Sequence, residues 1–196
     1  MGRDVRVAVI GCGYWGKNLV RNFFELAVLE AVCDEQKVAA KEMAEAYNVK
    51  ALTFNEVIES NVDAVVIASP ASKHAEHVKQ SLLAGKHVFV EKPIAISVKD
   101  AEELCLIANK VNKKLMVGHL LQYYSAYQKL KQLVSENKLG KLQYIYSNRL
   151  SLGKIRTEEN VLWSFAPHDI SMVLGIVDSE PAQVRSSGSS FFDKEI

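Results

Sequence analysis

Apolar residues in the first part of the chain fall in short runs separated by helical patterns. Val5–Ile10 is apolar apart from Arg6, and from Tyr14 to about Val28 apolar positions recur with helical spacing. Glu30–Asp34 predicts a second strand and Lys37–Asn48 an alanine-rich helix. Val62–Ser69, Lys86–Glu91 and Lys114–Gly118 predict three more strands, with helices over Ser72–Ala84 and Val98–Val111 between them. Strands apolar on both faces, joined by crossover helices, imply a parallel sheet in an α/β layer architecture.

The pattern changes after His119. A helix over Ala126–Asn137 leads through Leu139-Gly140 into Lys141–Leu150. There Leu142, Tyr144, Tyr146 and Asn148 alternate with Gln143, Ile145 and Ser147, which predicts a half-exposed strand. A loop rich in lysine, arginine and glutamate follows, then a helix beginning near Pro167 and a strand around Ala182–Ser187. Two regions are therefore expected, residues 1–120 and residues 121–196. The closing Phe191-Phe192-Asp193-Lys194-Glu195-Ile196 brings an apolar pair into an unfinished element, as though the chain stopped inside its second domain.

Composition narrows the class. At 196 residues, 48% hydrophobic and 24% charged, the chain can build a globular core. Its net charge is +1 without a basic block, which disfavours nucleic acid and membrane surfaces as partners. No run of about 18 apolar residues predicts a membrane span. Met1-Gly2-Arg3-Asp4 runs straight into an apolar strand without a signal-peptide pattern, so a cytoplasmic location is expected. Cys12, Cys33 and Cys105 are odd in number and lack metal-ligand spacing; they are read as small buried hydrophobes in a reducing compartment.

Candidate chemistry begins at Gly11-Cys12-Gly13-Tyr14-Trp15-Gly16, a G-x-G-x-x-G run between a strand and a helix. Gly11 permits a tight turn, Gly13 the close approach of a pyrophosphate, and Gly16 close packing of helix on strand. The helix start supplies N–H groups to the anion. Asp34 ends the second strand 18 residues beyond Gly16, near the spacing of about 20 expected for an acid that binds the adenosine ribose. A carboxylate there repels the 2′-phosphate of NADP, so NAD is the expected cofactor.

Two further segments end strands: Ala68-Ser69-Pro70, with His74 four residues past the proline, and His87-Val88-Phe89-Val90-Glu91-Lys92-Pro93. Ligands of open α/β sheets bind beyond the carboxyl ends of strands, so these groups converge on one crevice. His74 and His77 lie three apart on a helix, but no further ligand is placed beside them, and no metal is expected.

Gly-x-Gly-x-x-Gly, Ser-Pro-x-x-x-His and Gly-Lys-His-Val-Phe-Val-Glu-Lys-Pro together resemble the glucose–fructose oxidoreductase/inositol dehydrogenase (Gfo/Idh/MocA) family, over essentially the whole chain. The resemblance implies a Rossmann dinucleotide-binding domain followed by the beginning of an α+β domain with a mostly antiparallel sheet. It implies that Lys92 sits beside the nicotinamide and the reacting hydroxyl, that Glu91 helps to hold the cofactor, and that His74 lies near it. An ammonium at that place stabilises a developing alkoxide and relays a proton.

The family's second signature, Asp-x-x-x-His, aligns with Trp163-Ser164-Phe165-Ala166-Pro167-His168. His168 matches the usual general base, whereas Ser164 stands where the aspartate is common. If Pro167 opens the helix, the dipole at its start favours the neutral imidazole that a base needs. The run from Asn160 to Ser171 is similar to a subgroup that oxidises the C3 hydroxyl of UDP-N-acetylhexosamines or their uronates. Arg149, Lys154 and Arg156 precede it and are expected to meet a diphosphate or carboxylate of the substrate. The function expected is NAD-dependent hydride transfer from a secondary alcohol of a sugar. Homo-oligomerisation is expected through the complete second sheet. Two alternatives stand beside this reading: a non-catalytic NAD-binding or regulatory protein, and an inactive fragment of such a dehydrogenase.

Overall fold

The computed structural model describes residues 5–150 and 161–189. The chain divides into two compact units, Met1–Gly118 and His119–Ile196.

The first unit alternates strands and helices as β1 (Val7–Ile10), α1 (Gly16–Glu25), β2 (Leu29–Cys33), α2 (Lys37–Tyr47), β3 (Lys50–Ala51), α3 (Phe54–Glu59), β4 (Ala64–Ile67), α4 (Ala71–Leu83), β5 (His87–Val90), α5 (Val98–Lys110) and β6 (Leu115–Val117). The strands form one six-stranded sheet in the order β3-β2-β1-β4-β5-β6, all pairs parallel. This is the Rossmann arrangement, with the order reversing between β1 and β4. Along β1, Ala8 and Ile10 enter one apolar cluster with Ala31, Val65, Ile67 and Leu104. Val7 and Val9 enter another with Val20, Val32 and Val66. Successive side chains of a strand point to opposite faces, so a run apolar at every position needs a cover on both.

The sequence reading passed over β3 and α3. Thr53 opens α3 with a capping box: its hydroxyl accepts from the Glu56 amide while the Glu56 carboxylate accepts from the Thr53 amide. These hydrogen bonds hold the exposed Glu56 carboxyl below its ordinary value. One cysteine also departs from expectation. Cys12 and Cys33 are buried, but Cys105 is exposed on the solvent side of α5.

In the second unit, a 3-10 turn (Leu120–Tyr123) precedes α6 (Ser125–Ser135) and α7 (Val161–Val177). Gln122 Nε2 donates to the Ser171 carbonyl at 2.7 Å, and the Tyr127 hydroxyl to that of Met172 at 3.0 Å. Gly175 leaves room for that hydroxyl; a Cβ there would stand 2.4 Å from it.

Three expectations are corrected here. Residues 141–150 and 182–187 form no strand. Tyr144 and Tyr146 are exposed, and so is Ile145 on the opposite side of the alternation, so neither face is covered. A strand persists through its ladder and a buried face, and among the described residues these segments have neither. The last helix begins at Val161 rather than near Pro167, which lies inside it. Proline removes the bond to the carbonyl four residues back, that of Trp163. Packing of the helix, with Ser164 buried, outweighs that loss.

Candidate functional site

The loop after β1 assigns its three glycines separate tasks. Gly11 has φ +98°, and a Cβ on it would lie 2.6 Å from the Ala68 carbonyl carbon and 2.7 Å from the Ser69 nitrogen. A Cβ on Gly16 would lie 1.9 Å from the Gly11 oxygen. Both positions are therefore filled by the protein's own backbone. Around Gly13 a Cβ would meet nothing within 4 Å. That open approach, beside a helix start with no side-chain cap and no acidic residue in its first turn, suits the pyrophosphate of a dinucleotide. Tyr14 and Trp15 flank it, both exposed.

Asp34 follows β2 and is bound into the same loop. Its Oδ2 accepts from the Cys12 amide at 2.7 Å, and Oδ1 accepts from the Gln36 amide at 2.8 Å. A carboxylate offers about four acceptor positions, so capacity remains for a ribose diol. Burial pushes the thiol of Cys12 up to about 12 and that of Cys33 to about 11, and the Asp34 charge adds to both. Neither thiol is a nucleophile at neutral pH.

The ends of β4, β5 and β6 complete this edge. The Ala68 amide donates to Ile10, that of Glu91 to Ile67, and that of Gly118 to Val90, extending each ladder past its strand. Trp15 Nε1 donates to Glu91 Oε1 at 2.8 Å, joining the phosphate loop to the Glu-Lys-Pro turn. Burial pushes the Glu91 carboxyl up, while the Trp15 indole, the Lys92 amide and the charges of Lys92 and His74 draw it back. Gly118 makes room for Glu91, since a Cβ would lie 3.0 Å from its Oε1. Lys92 is half-buried and precedes the buried Pro93. Lys86, in the same motif, lies at the opposite end of β5, where its ammonium donates to the Ser60 and Val62 carbonyls.

Ser69 Oγ lies 3.0 Å from His77 Nδ1, and the His77 ring stacks on Phe54 with centroids 4.4 Å apart. Burial lowers the His77 pKa, favouring the neutral ring. Pro70 caps α4, and His74 in its first turn is buried, with Nδ1 2.6 Å from the Pro93 oxygen and Nε2 2.8 Å from the Ser69 oxygen. His74 thus lies beneath the crevice, its ring committed to backbone.

In the second unit His168 is the eighth residue of α7, two turns from the helix start. The dipole effect fades within the first turn, so His168 lies beyond the reach expected of it from a helix start at Pro167. The helix does place Ser164 and His168 on one face, four residues apart. The His119 ring stands edge-on to that of His168, with centroids 6.0 Å apart. The Arg149 guanidinium grips Asp169, the next residue, through Nε–Oδ2 at 2.5 Å and Nη2–Oδ1 at 3.0 Å, which raises the arginine pKa further. Lys154 and Arg156 lie outside the described residues.

A family described as "Oxidoreductase family, NAD-binding Rossmann fold" matches residues 5–119, the whole of the described sheet. The chain belongs to the Gfo/Idh/MocA oxidoreductase family. Among curated members, the UDP-N-acetylglucosamine 3-dehydrogenase of Acidithiobacillus ferrooxidans is 29% identical over 185 residues, covering 94% of this chain and 58% of that protein. The myo-inositol 2-dehydrogenase of Thermotoga maritima is also 29% identical, over 98% of this chain and 60% of its own. The solved structure of the A. ferrooxidans enzyme superposes with a TM-score of 0.88 at 27% identity, covering 97% of this chain and 62% of the other. The chain therefore spans about three-fifths of these relatives.

Within this Gfo/Idh/MocA chain, the first unit brings Gly11, Gly13, Gly16, Asp34, Ser69, Glu91 and Lys92 to one edge of the sheet. The sequence reading missed His119 and Gly118, and weighed His77 only as a metal ligand beside His74. Gly118 follows directly on β6, at the carboxyl edge of the sheet, and His119 is the next residue. Nothing local distinguishes His77 from a solvated helical histidine. Among the described residues, no cluster of three or more His, Cys, Asp or Glu suits a metal ion, and no helix is long and apolar enough to cross a membrane.

Proposed function

We propose that this chain belongs to an NAD-dependent dehydrogenase that oxidises a secondary alcohol of a sugar, with the C3 hydroxyl of a UDP-N-acetylhexosamine or its uronate as the favoured target. The Trp15–Glu91 hydrogen bond carries the reading, because it ties the turn bearing Lys92 to the loop suited to pyrophosphate. The cofactor, when bound, supplies the hydride acceptor. Asp34 accepts from the adenosine ribose and disfavours a 2′-phosphate. Lys92 places its ammonium where alkoxide charge develops, and His168 accepts the hydroxyl proton. The alcohol thus loses a hydride and a proton and becomes a ketone.

Likeness to the A. ferrooxidans enzyme over most of this chain supports the nucleotide-sugar target. A second reading, a cyclic polyol, is favoured by Arg149: its guanidinium already holds Asp169, and a diphosphate would have to displace it. Steady-state kinetics with NAD⁺ and UDP-N-acetylglucosamine, its uronate or myo-inositol test both. A nucleotide sugar preferred, with turnover lost in Lys92→Ala while NADH affinity persists, is the expected result. Preference for myo-inositol selects the polyol reading. NADH binding without turnover of any of the three selects a non-catalytic protein.

A further inference from the structure

We infer that His74 is a positioning residue that acts as a doubly protonated clamp, holding the Ser69 turn and the Lys92–Pro93 turn at a fixed separation beneath the cofactor. The inference rests on the NAD-binding reading above and assigns the ring a place below the ligand rather than against it.

The chemistry of the partners decides the protonation. Both ring nitrogens face backbone carbonyl oxygens, Nδ1 that of Pro93 at 2.6 Å and Nε2 that of Ser69 at 2.8 Å. A carbonyl oxygen only accepts, so each nitrogen must donate, and a ring that donates from both carries two protons. A neutral tautomer would set a bare nitrogen lone pair against an oxygen lone pair. The ring is 2% exposed, so water has no access to relieve that contact.

The surrounding charges favour and oppose this state in identifiable ways. Glu91 lies close enough for the His74 charge to draw its carboxyl down, and its carboxylate is the counter-charge. His77, one turn along α4, is itself held towards its neutral form by burial, and the His74 charge adds to that. The Lys92 ammonium and the amino end of α4 oppose a cation there. Two short charge-assisted hydrogen bonds and the carboxylate answer them.

The consequence is mechanical. Ser69 presents its hydroxyl from the end of β4, and Glu91 and Lys92 follow the end of β5. Ladder bonds fix the strands, but both turns leave the sheet, and His74 joins them one residue beyond Lys92.

Histidine-selective ¹⁵N labelling of this chain tests the clamp without cofactor, using His74→Gln to assign the resonance among the five histidines. At neutral pH, both His74 ring nitrogens are expected in the protonated range with slowly exchanging protons. A bare nitrogen at His74 overturns the inference, whatever the variants do. NADH titration then reads the consequence. His74→Leu, with both donors removed, is expected to weaken NADH about tenfold or more, and His74→Gln, with one amide donor retained, by clearly less. Unchanged affinity in a folded His74→Leu chain overturns the positioning role. Should unmutated protein fail to bind NADH, the cofactor reading falls, and the ring spectrum still decides the clamp.

Discussion

Trp15 Nε1 and Glu91 Oε1 are 2.8 Å apart, although the residues belong to different turns at the carboxyl edge of the sheet. Burial raises the Glu91 carboxyl above its ordinary value of 4.5, and the indole donor acts against that rise. A carboxyl raised on folding contributes stability below the unfolded value and loses it as pH rises through the folded value. Trp15→Phe removes a donor to the ionised form, so the folded value climbs further. The variant is expected to match unmutated protein near pH 4 and to fall behind towards neutrality, by about 1 kcal/mol once the exposure of Trp15 is allowed for. Thermal melts across that range test it, and a gap independent of pH would assign Trp15 to packing.

Gly13 and Gly16 should separate binding from folding. Gly16→Ala places a methyl 1.9 Å from the Gly11 oxygen, and a loss of about 1–3 kcal/mol or more is expected. Gly13→Ala meets nothing within 4 Å, so its melting temperature should hold while NADH affinity falls about tenfold, some 1.4 kcal/mol. Equal melting temperatures for the two variants would refute the assignment.

Asp34 has two roles that two substitutions can part. Asp34→Asn removes the charge but keeps an acceptor, and is expected to narrow the preference for NADH over NADPH. Asp34→Ala also frees the Cys12 and Gln36 amides and should weaken both cofactors. Fluorescence titration reads both. Equal affinities in unmutated protein would sink the ribose assignment.

The thiols offer a check on burial. Cys12 at about 12 and Cys33 at about 11 stay protonated and covered, whereas Cys105 is exposed. A thiol-exchange reagent near pH 8 is expected to find one reactive cysteine in native protein and all three in denaturant. A second fast-reacting thiol would contradict the packing around β1 and β2.

Elements with a local signature were legible. Apolar runs marked β1 and β4, because a strand covered on both faces has no polar side, and shorter or interrupted runs marked β2, β5 and β6. Gly11 and Gly16 were legible because a left-handed φ and a close backbone approach tolerate only one residue. β3 was not, since it is two exposed residues held by the edge of β2. Thr53-x-x-Glu56 was a readable capping box that the pattern of apolar runs passed over.

The sequence by itself determined the α/β class of the first unit, the glycine turn between β1 and α1 and the family, each through residues adjacent in the chain or at a set spacing. Tertiary structure alone decided which groups those residues meet. Proline chemistry placed a helix start at Pro167, and packing moved it to Val161. Arg149 read as a cation for substrate, and Asp169 twenty residues on holds it. Nothing in Ser-Pro-x-x-x-His says that both nitrogens of His74 end against carbonyls, one of them nineteen residues away. Hydrogen bonds act over about 3 Å. Which groups come within that range depends on how separate strands and helices pack.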